Sequence, residues 1–339
     1  MRILYDGRLL AAAASGVRDI AVGLLAGLSI LENRGATEVL IAQTSQRTTA
    51  AEVVLPARAF MHVGLPVAAV KYGVDRILIP RQTIPIISRV PAVPFFYDIG
   101  FIRQPDLYPN EYQIEATTRM AARAKYGLAV SRFTAREMRE SGLGCSIHAL
   151  PISAIHSVTF SPNTAEPFLL CVAAQQPHKN LVRLIEAWEL ADTQGTRLVI
   201  CGRKGKDSER IMNVFDRSPK KKSITLVSGL DNDEYLDLLQ SSWGYVQPSL
   251  YEGLCIPALD LAAAGTPMIV SAFGNLGAVF SEAPTPQVFD PLSVRSIAES
   301  LEALISDNNF RQSSAAFNRS NVRITDWEQV AVDALAAMN

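Results

Sequence analysis

The 339-residue chain lacks most of the features that tie a sequence to a special setting. Its four cysteines, Cys145, Cys171, Cys201 and Cys255, show no CxxC spacing, which argues against a disulfide framework and against a thiolate metal site. Cys171 and Cys201 fall inside apolar runs and read as reduced core thiols. The four histidines are scattered without metal-ligand spacing, so neither a metal nor a cofactor is expected. No stretch approaches the roughly 18 consecutive apolar residues of a membrane helix. The start, MRILYDGRLLAAAASG, lacks the hydrophobic region of a signal peptide and reads as a strand followed by a loop. A cytoplasmic location follows as the expectation. Gly7 and Gly16 are not spaced as GxGxxG, which disfavours a nicotinamide dehydrogenase. Basic residues are not interleaved with aromatics, so nucleic acid is not an expected partner.

What is present is an ordinary globular composition, 48% hydrophobic and 19% charged. The length favours two domains of roughly 150 to 180 residues over one overgrown core. Net charge is −1 but unevenly spread: residues 1–150 carry 17 Lys and Arg against 12 Asp and Glu, and the remainder 15 against 21. This is open to two readings: chance or complementary domain faces, or a basic first half that meets an anionic membrane or a phosphate-linked acceptor. Short apolar runs at 2–5, 38–42, 76–79, 94–97 and 127–130 read as strands of a buried parallel sheet, with helices expected over 17–30 and 111–126. Thr134 is a candidate cap for the helix after Ser131, with Glu137 as its box partner. Residues 151–162 are polar and punctuated by proline, a candidate linker. Strand-helix alternation then restarts at 168–173, with further strands at 198–201, 223–227, 244–247, 268–271 and 287–289. The expected architecture is two successive, mostly parallel α/β halves.

The chain is organised around residues 243–271, WGYVQPSLYEGLCIPALDLAAAGTPMIVS. A strand, a loop with Glu252 and Gly253, and a helix opened by Pro257 follow in order. The backbone N–H groups of Gly253, Leu254, Cys255 and Ile256 lie around that helix start, where orphan donors and the helix dipole favour an anion. Glu252 and Asp260 flank the spot, and carboxylates are acceptors suited to sugar and ribose hydroxyls. The pattern points to a nucleotide sugar. Upstream, His178 and Lys179 open a helix after the strand at 168–173, Arg203 follows the next strand, and Leu230 the one after. Asp98 sits at the end of a strand, and Gly16 just before a helix.

YEGLCIPALDLAAAGTPMIVS resembles the E-x7-E signature of family 4 retaining glycosyltransferases, which have the GT-B fold. VAAQQPHKNLVRLIEAW, LVICGRKG, VSGLDNDEYLDLLQSS and VFDPLSVRSIAESLEALI match in the same order, and FFYDIGFIRQPDLYP is similar to the family's "HD" segment. The resemblance implies two Rossmann-like α/β/α domains facing each other across a cleft. Residues 1–155 would form the acceptor-side domain and 163–322 the nucleotide-sugar-binding domain, with 323–339 a helix crossing back to the first. The implied reaction is transfer of a hexosyl group, from a donor of the GDP-mannose type or a UDP-sugar, to a glycan or lipid-linked saccharide. A peripheral membrane contact would then run through the N-terminal domain.

Carried over by position, Lys179, Glu252 and Asp98 are the catalytic candidates. Gly16, His178, Lys179, Arg203, Leu230, Glu252, Gly253, Leu254, Cys255, Ile256 and Asp260 are the donor-binding ones. Three departures stand out: Asp260 in place of the second Glu, Tyr97 in place of the "HD" histidine, and Ala174 where many members have arginine, with His178 or Arg203 as substitutes. No DxD-type metal pair is evident, so protein charge would do the work of a metal. A GT-B-fold nucleotide-sugar epimerase and an inactive nucleotide-sugar-binding protein remain as alternatives.

Overall fold

The computed structural model describes residues 1–13, 15–44, 52–144 and 146–339, so Cys145 and Ala14 of the first loop lie outside the described residues. The chain divides into two units. The first comprises Met1–Pro105, Pro109–Ile152 and Thr325–Asn339, and the second Asp106–Tyr108 and Ser153–Ile324.

In the first unit the strands are β1 (Arg2–Asp6), β2 (Glu38–Gln43), β3 (Glu52–Val54), β4 (Arg76–Ile79), β5 (Ala92–Phe96), β6 (Tyr126–Ala129) and β7 (Ser146–Ala149). They form one sheet in the order β3-β2-β1-β4-β5-β6-β7, and every pairing is parallel. Such sheets are covered on both faces, which is why β1, β4 and β5 read as unbroken apolar runs. Ile3, Leu4, Tyr5, Ile77, Leu78, Ile79, Phe95 and Phe96 are all fully buried. Helix Gly16–Asn33 starts on Ser15, whose hydroxyl accepts from the Arg18 N–H at 3.3 Å.

Two local expectations fail here. The helix expected over 111–126 runs only from Tyr112 to Ala121, because Tyr126 is drawn into β6 opposite Ser146 of β7. Sheet pairing overrides the helical periodicity, and β7 itself carried no strong sequence signal. The cap of helix Arg132–Glu140 is Ser131, not Thr134. The Ser131 hydroxyl accepts from the Thr134 N–H at 3.1 Å, while Thr134 is fully buried and donates to the Tyr97 carbonyl at 3.2 Å. Glu137 closes no box there; it takes Arg103 Nε at 2.8 Å.

In the second unit the strands are β8 (Phe168–Val172), β9 (Arg197–Cys201), β10 (Ile224–Val227), β11 (Gly244–Gln247), β12 (Met268–Ser271) and β13 (Val288–Phe289). Their order is β10-β9-β8-β11-β12-β13, again all parallel. Helices Leu181–Leu190 and Val294–Ser306 cover one face over a core that includes the fully buried Trp188, Leu184, Ile297 and Leu301. Cys171, Cys201 and Cys255 are free and buried, and burial pushes their thiols up.

Candidate functional site

In the second sheet β8 neighbours both β9 and β11, so the connections leaving the carboxyl ends of β8 and β11 run to opposite sides. Ligands of doubly wound sheets bind at such a switch point. Both candidate catalytic residues of this unit come from these two connections: Lys179 follows β8, and Glu252 follows β11.

The loop after β8 makes a short 3-10 turn, Pro177–Lys179, and then reverses at Asn180, whose φ of 59° is left-handed. Asparagine tolerates that region better than most side chains. Its amide holds the turn in place: Asn180 Nδ2 donates to the Pro248 carbonyl at 3.0 Å and to the Pro291 carbonyl at 2.8 Å, and the residue is 4% exposed. The Leu250 N–H also donates to the His178 carbonyl at 2.7 Å. The two connections are therefore fastened to each other through backbone, which fixes the position of Lys179.

Lys179 Nζ donates to Glu252 Oε1 at 2.7 Å. Ser249 Oγ donates to the same oxygen at 2.8 Å, and Gln247 Nε2 approaches it at 3.3 Å. Gln247 is in turn the acceptor of the Tyr245 hydroxyl and donates to Ser249 at 2.7 Å. Tyr245, Gln247 and Ser249 alternate along β11 and its exit, so they share one face. All are fully buried. Burial, the largest single influence, works to raise the Glu252 carboxyl, but the Lys179 ammonium and its hydrogen bond, with His178 and the Ser249 hydroxyl, together outweigh it and hold the group below the ordinary value. Glu252 is therefore a carboxylate at neutral pH with three donors gathered on Oε1.

Gly274, at a φ of 72°, lies flat against this residue: a Cβ there would meet the Glu252 N at 2.7 Å and its carbonyl oxygen at 3.0 Å. The Asn275 N–H donates to the Glu252 carbonyl at 2.9 Å. Beyond Gly253 and Leu254, Cys255 is left-handed with a φ of 68° and caps helix Ile256–Ala264, so Pro257 falls in its first turn. The N–H of Ile256 precedes the first intrahelical bond, that from Leu259 to the Cys255 carbonyl.

Asp260 turns elsewhere. It is 2% exposed, and its Oδ1 accepts from the N–H groups of Ile155 at 2.7 Å and His156 at 3.0 Å. Its Oδ2 meets His156 Nδ1 at 2.7 Å. The stretch expected to be a linker is thus docked on the helix by three contacts to one carboxylate.

The His178 ring stacks on Tyr108, with centroids 4.5 Å apart and planes at 7°. Burial and then the neighbouring Lys179 charge lower its pKa to about 4. A histidine held neutral in the folded chain and free to protonate when unfolded makes the unfolded state bind more protons between about pH 6.5 and 4. Stability should therefore fall as pH drops through that window and level off below it. His178→Gln should remove about 3 kcal/mol of this dependence, read from urea midpoints at pH 4 and pH 7.

Arg203 is exposed, and its carbonyl accepts from the Gln175 N–H at 3.0 Å. Leu230 is half-buried between Gly229 and the capping box of Asp231 and Glu234. In the first unit, Gly16 opens its helix, and Asp98 follows β5 with its Oδ1 accepting from the Gly100 N–H at 3.3 Å. Tyr97 donates to the Pro80 carbonyl at 3.0 Å, and Gln82 Oε1 accepts from the N–H groups of Tyr97 and Asp98 at 2.9 and 3.2 Å.

Sequence reasoning missed Gln247, Ser249, Asn180, Gly274 and His156. The first two carried a signal, since polar residues alternating along a buried strand need partners. The others depend on contacts between segments far apart in the chain.

Residues 156–320 match the family model of glycosyl transferases group 1, which lies within the second unit. The chain is 22% identical over 267 residues to O-antigen chain mannosyltransferase B of Escherichia coli, covering 73% of this chain and 69% of that one. Its structure is similar to sucrose-phosphate synthase from Thermosynechococcus elongatus, with a TM-score of 0.76 at 16% identity over 99% and 98% of the two chains. The fold is GT-B. HepE from Anabaena, solved in complex with UDP and glucose, also aligns over 99% of each chain with a TM-score of 0.74 and 14% identity. The family and relative matches together support a GT-B glycosyltransferase.

Proposed function

We propose that this GT-B chain transfers a hexosyl group from a nucleotide-diphosphate sugar, of the GDP-mannose type or a UDP-sugar, to a glycan or lipid-linked saccharide in polysaccharide or glycoconjugate synthesis. The reading rests on one observation above all, the part-buried Lys179–Glu252 pair at the switch point of the second sheet. Its carboxylate gathers Lys179, Ser249 and Gln247 on Oε1, which leaves Oε2 as the acceptor for hydroxyls of the transferred sugar. Lys179 is the cation for the diphosphate, joined by the N–H groups of Leu254, Cys255 and Ile256 at the helix start. The mannosyltransferase relative and the UDP complex of the HepE neighbour agree with a donor of this kind.

Transfer breaks the bond between the anomeric carbon and the diphosphate oxygen while positive charge grows on the sugar. Lys179 and the helix start stabilise the negative charge on the leaving group, an effect of about 3 kcal/mol per well-placed donor in comparable sites. We favour retention by front-face attack: the acceptor hydroxyl forms the new bond and its proton passes to the departing phosphate oxygen. Asp260, whose oxygens are taken by Ile155 and His156, serves the ribose through the His156 ring it holds, Leu230 borders the base, and either Arg203 as a cation or the neutral His178 as a hydrogen-bond partner stands in for the arginine replaced by Ala174. Asp98 and Gly16 carry the first unit's share of donor and acceptor contacts.

The test is turnover of a panel of nucleotide sugars with and without saccharide acceptors. Release of nucleoside diphosphate only when acceptor is added supports transfer, and an altered sugar without release marks an epimerase. A ligand at 100 times its dissociation constant raises stability by about 2.7 kcal/mol, so the absence of a thermal shift with every nucleotide sugar overturns the reading.

A further inference from the structure

In the first sheet β1 neighbours both β2 and β4. The chain leaves β1 towards β2 and leaves β4 towards β5, so the carboxyl ends of β1 and β4 form a switch point of this sheet's own. The register pairs Tyr5 with Leu78, and an arginine stands three residues past each of them, Arg8 and Arg81. Both therefore lie at the end of the sheet where ligands of such folds are held.

The two arginines differ in what they touch. Arg8 Nε donates to Asp6 Oδ1 at 2.9 Å and its Nη2 to Asp6 Oδ2 at 2.6 Å. Its guanidinium also lies over the Phe60 ring, 4.4 Å from the centroid. Asp6 is 1% exposed, and both of its oxygens are taken by Arg8.

Arg81 has no such partner. Its Nε is buried without a hydrogen bond, and among the described residues no carboxylate pairs with its guanidinium. Arg2 and Arg18 also bury an unbonded Nε, but each has an acid on another nitrogen, Glu38 at 2.8 Å and Asp19 at 3.5 Å. Tyr97 cannot supply the missing charge, because burial raises its hydroxyl, whose proton goes to the Pro80 carbonyl at 3.0 Å. Burial and then the Arg8 charge lower the Arg81 pKa, and Asp6 offsets them only in part. A half-buried guanidinium whose strongest charged neighbour is another cation lowers stability until an anion meets it. The backbone holds the group in place beforehand: the Arg81 N–H donates to the Ile79 carbonyl at 2.7 Å, and its carbonyl accepts from the Phe95 N–H at 3.1 Å.

We propose that Arg81, with Arg8 as a second cation, binds the anionic group of a sugar, a carboxylate or a phosphate monoester, at the switch point of the first unit. The planar fork of a guanidinium takes two oxygens of either group at once. A neutral saccharide is the weaker match, since its hydroxyls leave the charge uncompensated. That this sugar is the acceptor rests on the proposed transfer and makes the acceptor acidic. The anion site itself stands without that reading.

The melting temperature of the full chain is measured with glucuronate, mannose 6-phosphate or neutral mannose, with no donor present. An acidic sugar should stabilise the wild type and mannose should not, and the effect should weaken in high salt. Arg81→Met should raise the dissociation constant of the acidic sugar by about 30-fold or more, since the anion loses its guanidinium. Without sugar this variant should melt about 2 °C or more above the wild type, because it sheds an uncompensated charge. A response to glucuronate alone assigns a carboxylate, and one to mannose 6-phosphate alone a phosphate. Equal stabilisation of wild type and Arg81→Met overturns the proposal, as does no response to either acid. A variant that melts lower without sugar also overturns it, since the guanidinium then serves the fold. Binding of the acidic sugar without any transfer counts against the proposed function and leaves the site in place.

Discussion

Lys179→Met should lower kcat/KM by about 10²- to 10³-fold, because the leaving diphosphate loses the Lys179 ammonium at the switch point. It should also destabilise the second unit by about 3 kcal/mol, since Glu252 is then left buried without its counter-charge. The pH dependence separates this from a general loss of fit. In the wild type Glu252 is held below its ordinary value, so the unfolded chain binds the extra proton in the acid range. Its contribution to stability is full above the carboxyl's ordinary value and is lost as pH falls through the folded value. Without Lys179, burial is opposed only by the weaker influences of His178 and the Ser249 hydrogen bond, and the carboxyl should rise. The folded state then binds the extra proton, and stability should fall as pH rises from the ordinary carboxyl value. The gap between the denaturant midpoints of the two proteins should thus widen as pH rises from 3 to 7, on top of the slope that His178 and other groups give to both. Glu252→Gln in the Lys179→Met background should remove the part of the slope due to Glu252 and recover part of the stability, since a neutral amide replaces the stranded charge. Parallel slopes would mean that Lys179 does not set the charge of Glu252.

The architecture was legible because buried parallel strands announce themselves. β11 and β12 were expected at 244–247 and 268–271, and they occupy Gly244–Gln247 and Met268–Ser271. Edge strands were not: β3 and β7 are three and four residues long, and β7 is half exposed. The cap at Ser131 was misassigned one turn too late, because Ser and Thr three residues apart offer the same chemistry and only the fold decides between them.

The site divides along the same line. Glu252 and Lys179 stood out because each sits beside a turn and a helix start. Their pairing across 73 residues was invisible, as was the Asn180 amide that fastens the two connections. The most informative departure is Asp260. Periodicity put it near the helix start, but nothing local indicated that Ile155 and His156 would supply three donors to it. Long-range polar partners are set by topology, and a single sequence carries no record of them.

Topology also explains two glycines in the first unit. Gly23 and Gly27 lie one turn apart on helix Gly16–Asn33, where each lowers helix stability by about 1 kcal/mol relative to alanine. They are retained because helix Trp327–Met338 lies directly on them. A Cβ at Gly23 would meet the Trp327 ring at 2.2 Å, and one at Gly27 would meet the Trp327 carbonyl oxygen at 1.9 Å. The two obstacles differ in kind. A ring can rotate, whereas a backbone carbonyl moves only if the helix moves with it. Gly27→Ala should therefore destabilise the first unit by about 3 kcal/mol despite its gain in helix propensity, and Gly23→Ala by less. The Gly27 variant should also lift the C-terminal helix off its bed, breaking the Arg34–Glu328 ion pair and the bond from Arg76 Nε to the Met338 carbonyl. The half-buried Trp327 would then face water. A red-shifted tryptophan emission at temperatures where the second unit is still folded is the expected reading. A variant with unchanged emission and melting temperature would show that the terminal helix can shift along its neighbour at no cost.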